Sequence, residues 1–334
     1  MLSNQNPPAM MVEVKPQPTY ILPKVYIANS AVYEMTREVL SNPGRETGWG
    51  LYGIIAKDRL TVYIVGVIRP AVADITRHYA ATTLGGERLA DSVRWLMANV
   101  ELNKKNGINI DGDFAFLYKG HSHHQLGYGQ YSPTDKDSIK ESVIKEGLEL
   151  AIGPLATIDQ TEMKIINRFG GDISVNNSAK VKFTFYYYDR YMYEAGVVEP
   201  VVIKPTVLNA RAVPALPPLG WQFASDSDYM EQLRHLRAYG CNVKTSYRDT
   251  DNKPPFEIIF TVTRNDWKGI LVIETAWDFP RTLPKFKVVP NIPNKDSVCS
   301  LRYKGLEHLL EGPIWNRDED FIEAIFRLEA RGEL

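Results

Sequence analysis

The stretch from Lys119 to Asp135, KGHSHHQLGYGQYSPTD, gathers the side chains best suited to chemistry. Three of the chain's six histidines, His121, His123 and His124, fall within it, and Ser132 and Asp135 follow. His121 and His123 alternate at the end of an apolar run, Phe114 to Leu117, that reads as a buried strand, so their imidazoles project from one face. His124 takes the opposite face. Two like-facing imidazoles are half of a metal site, and the eight residues between His123 and Ser132 are enough for a loop to bring the Asp135 carboxylate to the pair. Two nitrogens and one oxygen make a set of three protein ligands, which leaves zinc's fourth position open to water, as catalysis requires. Ser132-Pro133-Thr134-Asp135 is also a plain helix start, with Ser as N-cap, Pro at the first helical position and an acid at the third. A first-turn position holds Asp135 rigidly, which suits a ligand.

Activated water needs a base, and the candidate lies far upstream in RETGWGLYG. Glu46 sits just past a helical segment and before an apolar run, Leu51 to Ile55, suited to a strand. With it the chain resembles the JAMM (JAB, MPN) metalloprotease family, whose pattern is a distant Glu, then His-x-His, then Ser-x-x-Asp. Glu46, His121, His123, Ser132 and Asp135 fill all five positions, and the resemblance covers roughly residues 20 to 195. Two departures are visible: His124 stands where Pro is common, and the spacer to Ser132 is one residue longer than the commonest form. The resemblance implies zinc on His121, His123 and Asp135, Glu46 as the base, and the Ser132 hydroxyl assisting at the oxyanion.

The elements that must position these residues follow from periodicity and breakers. Residues 1–20, with Pro7, Pro8, Pro16 and Pro18, read as an extended or disordered lead-in. Val25 to Ile27 is a short strand. Asn29 or Ser30 caps a helix to Leu40, ended by Pro43-Gly44. Leu60 to Val67 is β-branched. Leu89, Val93, Leu96, Met97 and Val100 recur at helical spacing in Glu87 to Leu102 and predict an amphipathic helix packed on a sheet. A helix from Ser132 to about Leu148 turns Ile139, Val143, Ile144 and Leu148 inward. Strands are expected at Leu150 to Ile158, Met163 to Ile166 and Val181 to Tyr188. The expected fold class is α/β (α+β), a mixed sheet flanked by helices over residues 21–198.

Pro200, Pro205, Pro214, Pro217 and Pro218 mark residues 199–221 as a stiff linker or a strap along a surface. A second, smaller α+β unit is expected over 222–334, with a helix at Asp228 to Leu236, strands at Phe256 to Val262 and Ile270 to Ala276, and a last helix from Glu319 to about Ala330. Phe279-Pro280-x-x-Leu283-Pro284, then Pro290-Asn291-Ile292 and Cys299, resembles the ubiquitin-conjugating enzymes, in which a thioester Cys follows His-Pro-Asn by eight residues. Val289 replaces that His. The resemblance implies a thioester on Cys299 and oxyanion assistance from Asn291. The alternative is a domain that keeps the fold and binds a ubiquitin-like partner, with Cys299 as a small buried hydrophobe. Cys241 reads as a core thiol.

Of the 334 residues, 44% are apolar and 24% charged, with a net charge of −1, as in ordinary soluble globular proteins. No cluster of Lys and Arg suggests a nucleic-acid or anionic-lipid partner. No stretch approaches eighteen apolar residues and no secretory leader is recognisable. Two cysteines are too few for a disulfide framework, so free thiols and a cytoplasmic location are expected. The two resemblances together imply a zinc isopeptidase or peptidase of a bacterial ubiquitin-like pathway. Its partners would be a ubiquitin-like protein, its conjugates and an activating-type enzyme. Three alternatives stay open: a bifunctional protein that also carries the modifier on Cys299, a zinc peptidase of unrelated small substrates, and a non-catalytic binding scaffold.

Overall fold

The computed structural model describes residues 20–71, 75–77, 82–105, 107, 110–123, 129–158, 163–165, 173–175, 179–224, 226–250, 253–290, 308–309 and 319–334. Up to the proline-rich stretch the elements are β1 (Lys24–Ala28), α1 (Asn29–Leu40), β2 (Gly48–Ile55), β3 (Thr61–Ile68), a small hairpin of β4 (Ile75–Arg77) and β5 (Thr82–Leu84), α2 (Glu87–Lys105), β6 (Asp113–Ser122), α3 (Pro133–Ile144), β7 (Leu150–Ile158), a second hairpin of β8 (Met163–Ile165) and β9 (Ile173–Val175), β10 (Val181–Asp189) and α4 (Arg190–Glu194). There follow β11 (Val201–Ile203), β12 (Thr206–Leu208), a 3₁₀ turn (Ala210–Ala212), α5 (Trp221–Ala224), α6 (Asp226–Ala238), β13 (Asn242–Thr250), β14 (Lys253–Thr263), β15 (Gly269–Thr275), β16 (Lys285–Pro290), β17 (His308–Leu309) and α7 (Phe321–Ala330). The fold class is α+β, as the residue pattern predicts.

Eight strands form one mixed sheet in the order β11-β10-β7-β6-β2-β3-β1-β12. β6 and β7 run parallel, and α3 is the crossover between them. Side-chain alternation loads both faces. Leu51 and Leu117 join the cluster containing α1 and α3, while Tyr52, Phe114 and Phe116 pack into a second cluster around α2. The stretch expected to be a stiff linker or a strap along a surface supplies two strands. β11 pairs with β10 at one edge and β12 pairs with β1 at the other, and only residues 204–205 lie between them. Three Cα steps span at most about 11 Å, so the sheet must curl until its edges approach. Asn29 helps to hold this strap, its side-chain oxygen accepting from the Ala210 N–H at 3.0 Å. It is therefore not the cap of α1; Ala28 stands there, with no side-chain cap bond.

Two helices differ from the pattern. α3 stops at Ile144 rather than near Leu148, because Gly147 at φ +81° turns the chain and Leu148 N–H bonds back to Ser142 O. Ile144 is consequently exposed. In α2 Met97 is 51% exposed, whereas Trp95, outside the expected stripe, is buried. The reason is a second sheet, β13-β14-β15-β16-β17, which covers that side of the helix. Trp95 meets Phe223 and Tyr247 edge-on at 6.0 and 5.0 Å, its Nε1–H donates to Pro218 O, and the Arg88 guanidinium lies over the rings of Phe223 and Tyr229. The second apolar cluster thus joins Ile68, Leu89 and Leu96 to Phe260, Ile273 and Phe321. Cys241 is buried within it, as expected of a core thiol. Among the described residues, no helix is long and apolar enough to cross a membrane.

Since Trp95 links the two halves, Trp95→Ala should lower stability by about 3–5 kcal/mol, the usual cost of emptying a large buried site. Urea unfolding of the full chain measures this. A loss below about 1 kcal/mol would show that α2 does not hold the sheets together.

Candidate metal centre

His121 lies at the end of β6 and His123 one residue beyond it. Gly120 between Trp49 and Pro154 permits this close approach, since a Cβ there would fall 2.5 Å from Trp49 Nε1 and 2.6 Å from Pro154 Cγ. The backbone N–H of His123 still bonds to Ala156 O on β7, so both imidazoles are fixed by strand geometry. Their Nε2 atoms are 3.0 Å apart and the ring centroids 4.7 Å. Asp135, in the first turn of α3, brings Oδ1 to 3.4 Å from His121 Nε2 and Oδ2 to 3.5 Å from His123 Nε2. The three residues each present one ligand atom, all within 4.8 Å of one another. A site at the carboxyl end of a parallel strand pair, beside the start of the crossover helix, is where open α/β sheets place their ligands.

Ser132 closes a capping box. Its Oγ–H donates to Asp135 Oδ2 at 2.7 Å, its N–H donates to the same oxygen at 2.9 Å, and its Oγ accepts from Asp135 N–H at 3.2 Å. The hydroxyl proton expected to face an oxyanion is therefore turned to Asp135, and the residue acts as an anchor of the ligand. Burial pushes the Asp135 carboxyl up, but the His121 hydrogen bond and charge, with the two Ser132 donors, outweigh it and hold the group well below the usual carboxylate range. Asp135 is thus kept ionised.

Glu46 occupies the short coil before β2 and is only 2% exposed. Its Oε1 has no hydrogen-bond partner among the described residues. Burial, then the charge of Asp135, raises its pKa from 4.5 to about 7. It shares with His121, His123 and Asp135 one cavity of about 1190 Å³, whose walls include Tyr118 and Lys119. Tyr118 carries the unusual φ of +116° at a β-bulge, where Leu51 pairs with Tyr118 but Tyr52 with Phe116. Bulges of this kind re-aim side chains beside functional sites.

The residues that fix Glu46 to the histidines are ones the sequence did not single out. Thr47 N–H donates to Ser122 Oγ and Ser122 N–H donates to Thr47 O, both at 3.0 Å. Thr47 follows Glu46 and Ser122 lies between the two histidines, so this reciprocal pair ties Glu46 to His121 and His123. Thr47 Oγ1 donates to Glu38 Oε1 at 2.7 Å and accepts from Arg77 Nε at 2.9 Å, while Arg69 and Arg77 both pair with the buried Glu38 carboxylate. A sequence signal existed: Ala31, Met35, Glu38 and Val39 follow helical spacing, placing Glu38 on the buried stripe of α1. Asn291 and Cys299 lie outside the described residues, as does His124.

The three donors fit a divalent metal, since they converge, His123 is buried and the other two are partly buried, and the carboxylate is held ionised as a ligand must be. In metal-free protein Glu46 gives a test of its own. Because its folded pKa of about 7 lies above the unfolded 4.5, the native state binds more protons between those values and stability falls as pH rises through them. The effect is on the order of 2 kcal/mol, below the limit set by the full shift because water reaches the cavity. Chelator-treated protein should therefore be more stable to urea at pH 5 than at pH 8 relative to Glu46→Gln, which mimics the neutral form. Parallel pH profiles for the two proteins would contradict the burial assigned to Glu46.

No family model and no curated protein matches this chain.

Proposed function

We propose that the chain is a metal-dependent peptidase that hydrolyses an amide or isopeptide bond after the C-terminus of a ubiquitin-like protein, either releasing the modifier from a target or maturing its precursor. The observation that carries the hydrolase reading is Glu46: a buried carboxylate titrating near neutrality, with one oxygen unpartnered, in the same cavity as a convergent His121–His123–Asp135 set. Zinc is the metal favoured by two imidazole nitrogens and one carboxylate oxygen. When bound, it supplies Lewis acidity, which polarises a carbonyl and brings the pKa of water from 15.7 to about 7.

The chain's own groups do the rest. Glu46 takes a proton from water as it adds to the scissile carbonyl, then delivers that proton to the leaving amine as the C–N bond breaks. Burial favours the protonated form that Glu46 passes through between the two halves of this transfer. Ser132 keeps Asp135 oriented, and the Thr47–Ser122 pair keeps Glu46 in register with the ligands. The substrate assignment is supported by the five-position JAMM-like pattern, and by the conjugating-enzyme-like pattern of the C-terminal segment, which would present the modifier to the cavity.

Protein purified without added zinc should carry close to one zinc per chain by elemental analysis, and His123→Ala should lose it. Glu46→Gln should retain the metal yet hydrolyse a linear ubiquitin-like fusion about 10² to 10⁴ times more slowly. Full cleavage by zinc-loaded Glu46→Gln would remove Glu46 as the base. Absence of zinc from the native protein, even after reconstitution, would remove the metallopeptidase reading altogether.

A further inference from the structure

We propose that Tyr131 and Tyr186 are positioning residues for the metal ligand His121: the Tyr131 ring sets the plane of its imidazole by stacking, and the Tyr186 hydroxyl holds Tyr131 in place for that contact. The proposal rests on the metal reading of the site. The Tyr131 ring lies nearly parallel to the His121 imidazole, with centroids 5.3 Å apart and planes 19° apart, and it stacks in turn on Tyr186 at 4.0 Å and 9°. Tyr186 also accepts the backbone N–H of Tyr131 through its hydroxyl at 3.0 Å. β10 therefore grips Tyr131 by ring and backbone together. Both rings are buried.

Metal-binding histidines commonly have the ring fixed by a hydrogen bond at the nitrogen that does not face the metal. Among the described residues, the polar contacts of the His121 ring all run through Nε2, toward His123 and Asp135. That is the atom a metal would occupy. Rotation of the ring about its Cβ–Cγ bond is instead limited by the flat face of Tyr131, an offset aromatic contact that tilting would break. Tyr131 immediately precedes Ser132, so the anchor on Tyr186 also fixes the start of the capping box that carries Asp135. One point on β10 thus governs two of the three ligands.

The Tyr131 hydroxyl takes no part. It is buried without a hydrogen-bond partner among the described residues and sits against Gly153 on β7, where an added Cβ would be 2.2 Å from it. Gly153 leaves the room that lets the ring lie flat beside His121. Orientation by the ring rather than the hydroxyl separates this role from that of a hydrogen-bonding partner, and predicts different outcomes for two substitutions at one position.

The experiment compares full-length wild type, Tyr131→Phe, Tyr131→Leu and Tyr186→Phe, using Zn²⁺ and Co²⁺ alone as probes. Affinity is read by competition with a chromophoric chelator, and ligand geometry by the visible bands of bound Co²⁺, with circular dichroism to confirm folding. Tyr131→Phe should match wild type within about twofold, whereas Tyr131→Leu and Tyr186→Phe should bind about tenfold more weakly and show altered Co²⁺ bands. If Tyr131→Leu fails to fold, Tyr186→Phe decides. Wild-type affinity and spectrum in the Leu and Tyr186→Phe proteins would overturn the proposal, as would a Tyr131→Phe protein as weak as Tyr131→Leu. Wild type that binds neither ion would instead overturn the metal centre itself.

Discussion

The reciprocal hydrogen bonds between Thr47 and Ser122 are the constraint on which the candidate centre depends. They join the coil before β2 to the end of β6, and so set the distance between a prospective base and its prospective metal. Two hydrogen bonds of this kind contribute only about 1 kcal/mol each to stability, but both residues are wholly buried, and an unmet partner there would cost about 1–3 kcal/mol. Glu38 extends the constraint. A buried carboxylate is tolerated only when paired and hydrogen-bonded, and Glu38 receives Thr47, Asn42, Arg69 and Arg77 together. Arg77 belongs to the β4–β5 hairpin, and Thr82 and Leu84 of that hairpin line the cavity. The hairpin wall and the base are therefore tied to one buried cluster.

A second constraint acts at larger scale. The eight-stranded sheet has α1 and α3 on one face and α2 on the other, and α2 is covered in turn by the five-stranded sheet. Neither half buries its own apolar surface alone, since Trp95 and Leu96 of α2 pack in one cluster with Phe260 and Phe321. The strap from β11 to β12 runs between the two edges of the first sheet before the chain enters the second. Its prolines suit this course, because an extended edge segment needs few N–H donors.

The convergence of the candidate ligands was legible because their spacing is local: alternation places His121 beside His123, and a helix start fixes Ser132 against Asp135. Most strands and helices were legible for the same reason. What the residues did not show is long-range. Nothing near Trp95 announces that a sheet formed 150 residues later will cover it, and without that cover Met97 looked the better core residue. Residues 199–221 read as a linker or a surface strap without strands, because prolines signal the absence of regular structure but not the presence of a neighbouring edge to pair with. A motif likewise does not specify hydrogen-bond direction: the Ser132 hydroxyl proton goes to the nearest carboxylate oxygen, Asp135 Oδ2.

Two carboxylates in one cavity have been driven apart, and the separation is what distinguishes their parts. Asp135 lies at a helix N-terminus with Ser132 donors and an imidazole beside it, all of which favour the anion. Glu46 has burial and the neighbouring Asp135 charge, both of which favour the acid. Exchanging the environments would fail on both counts: a ligand that held its proton to neutral pH would compete poorly for a cation, and a carboxylate ionised far into the acid range would be too weak a base for water. Environments that push paired titratable groups in opposite directions mark the assignment of acid–base roles in catalytic sites generally. Here Asp135 is held as an anion, and burial raises the Glu46 pKa to about 7.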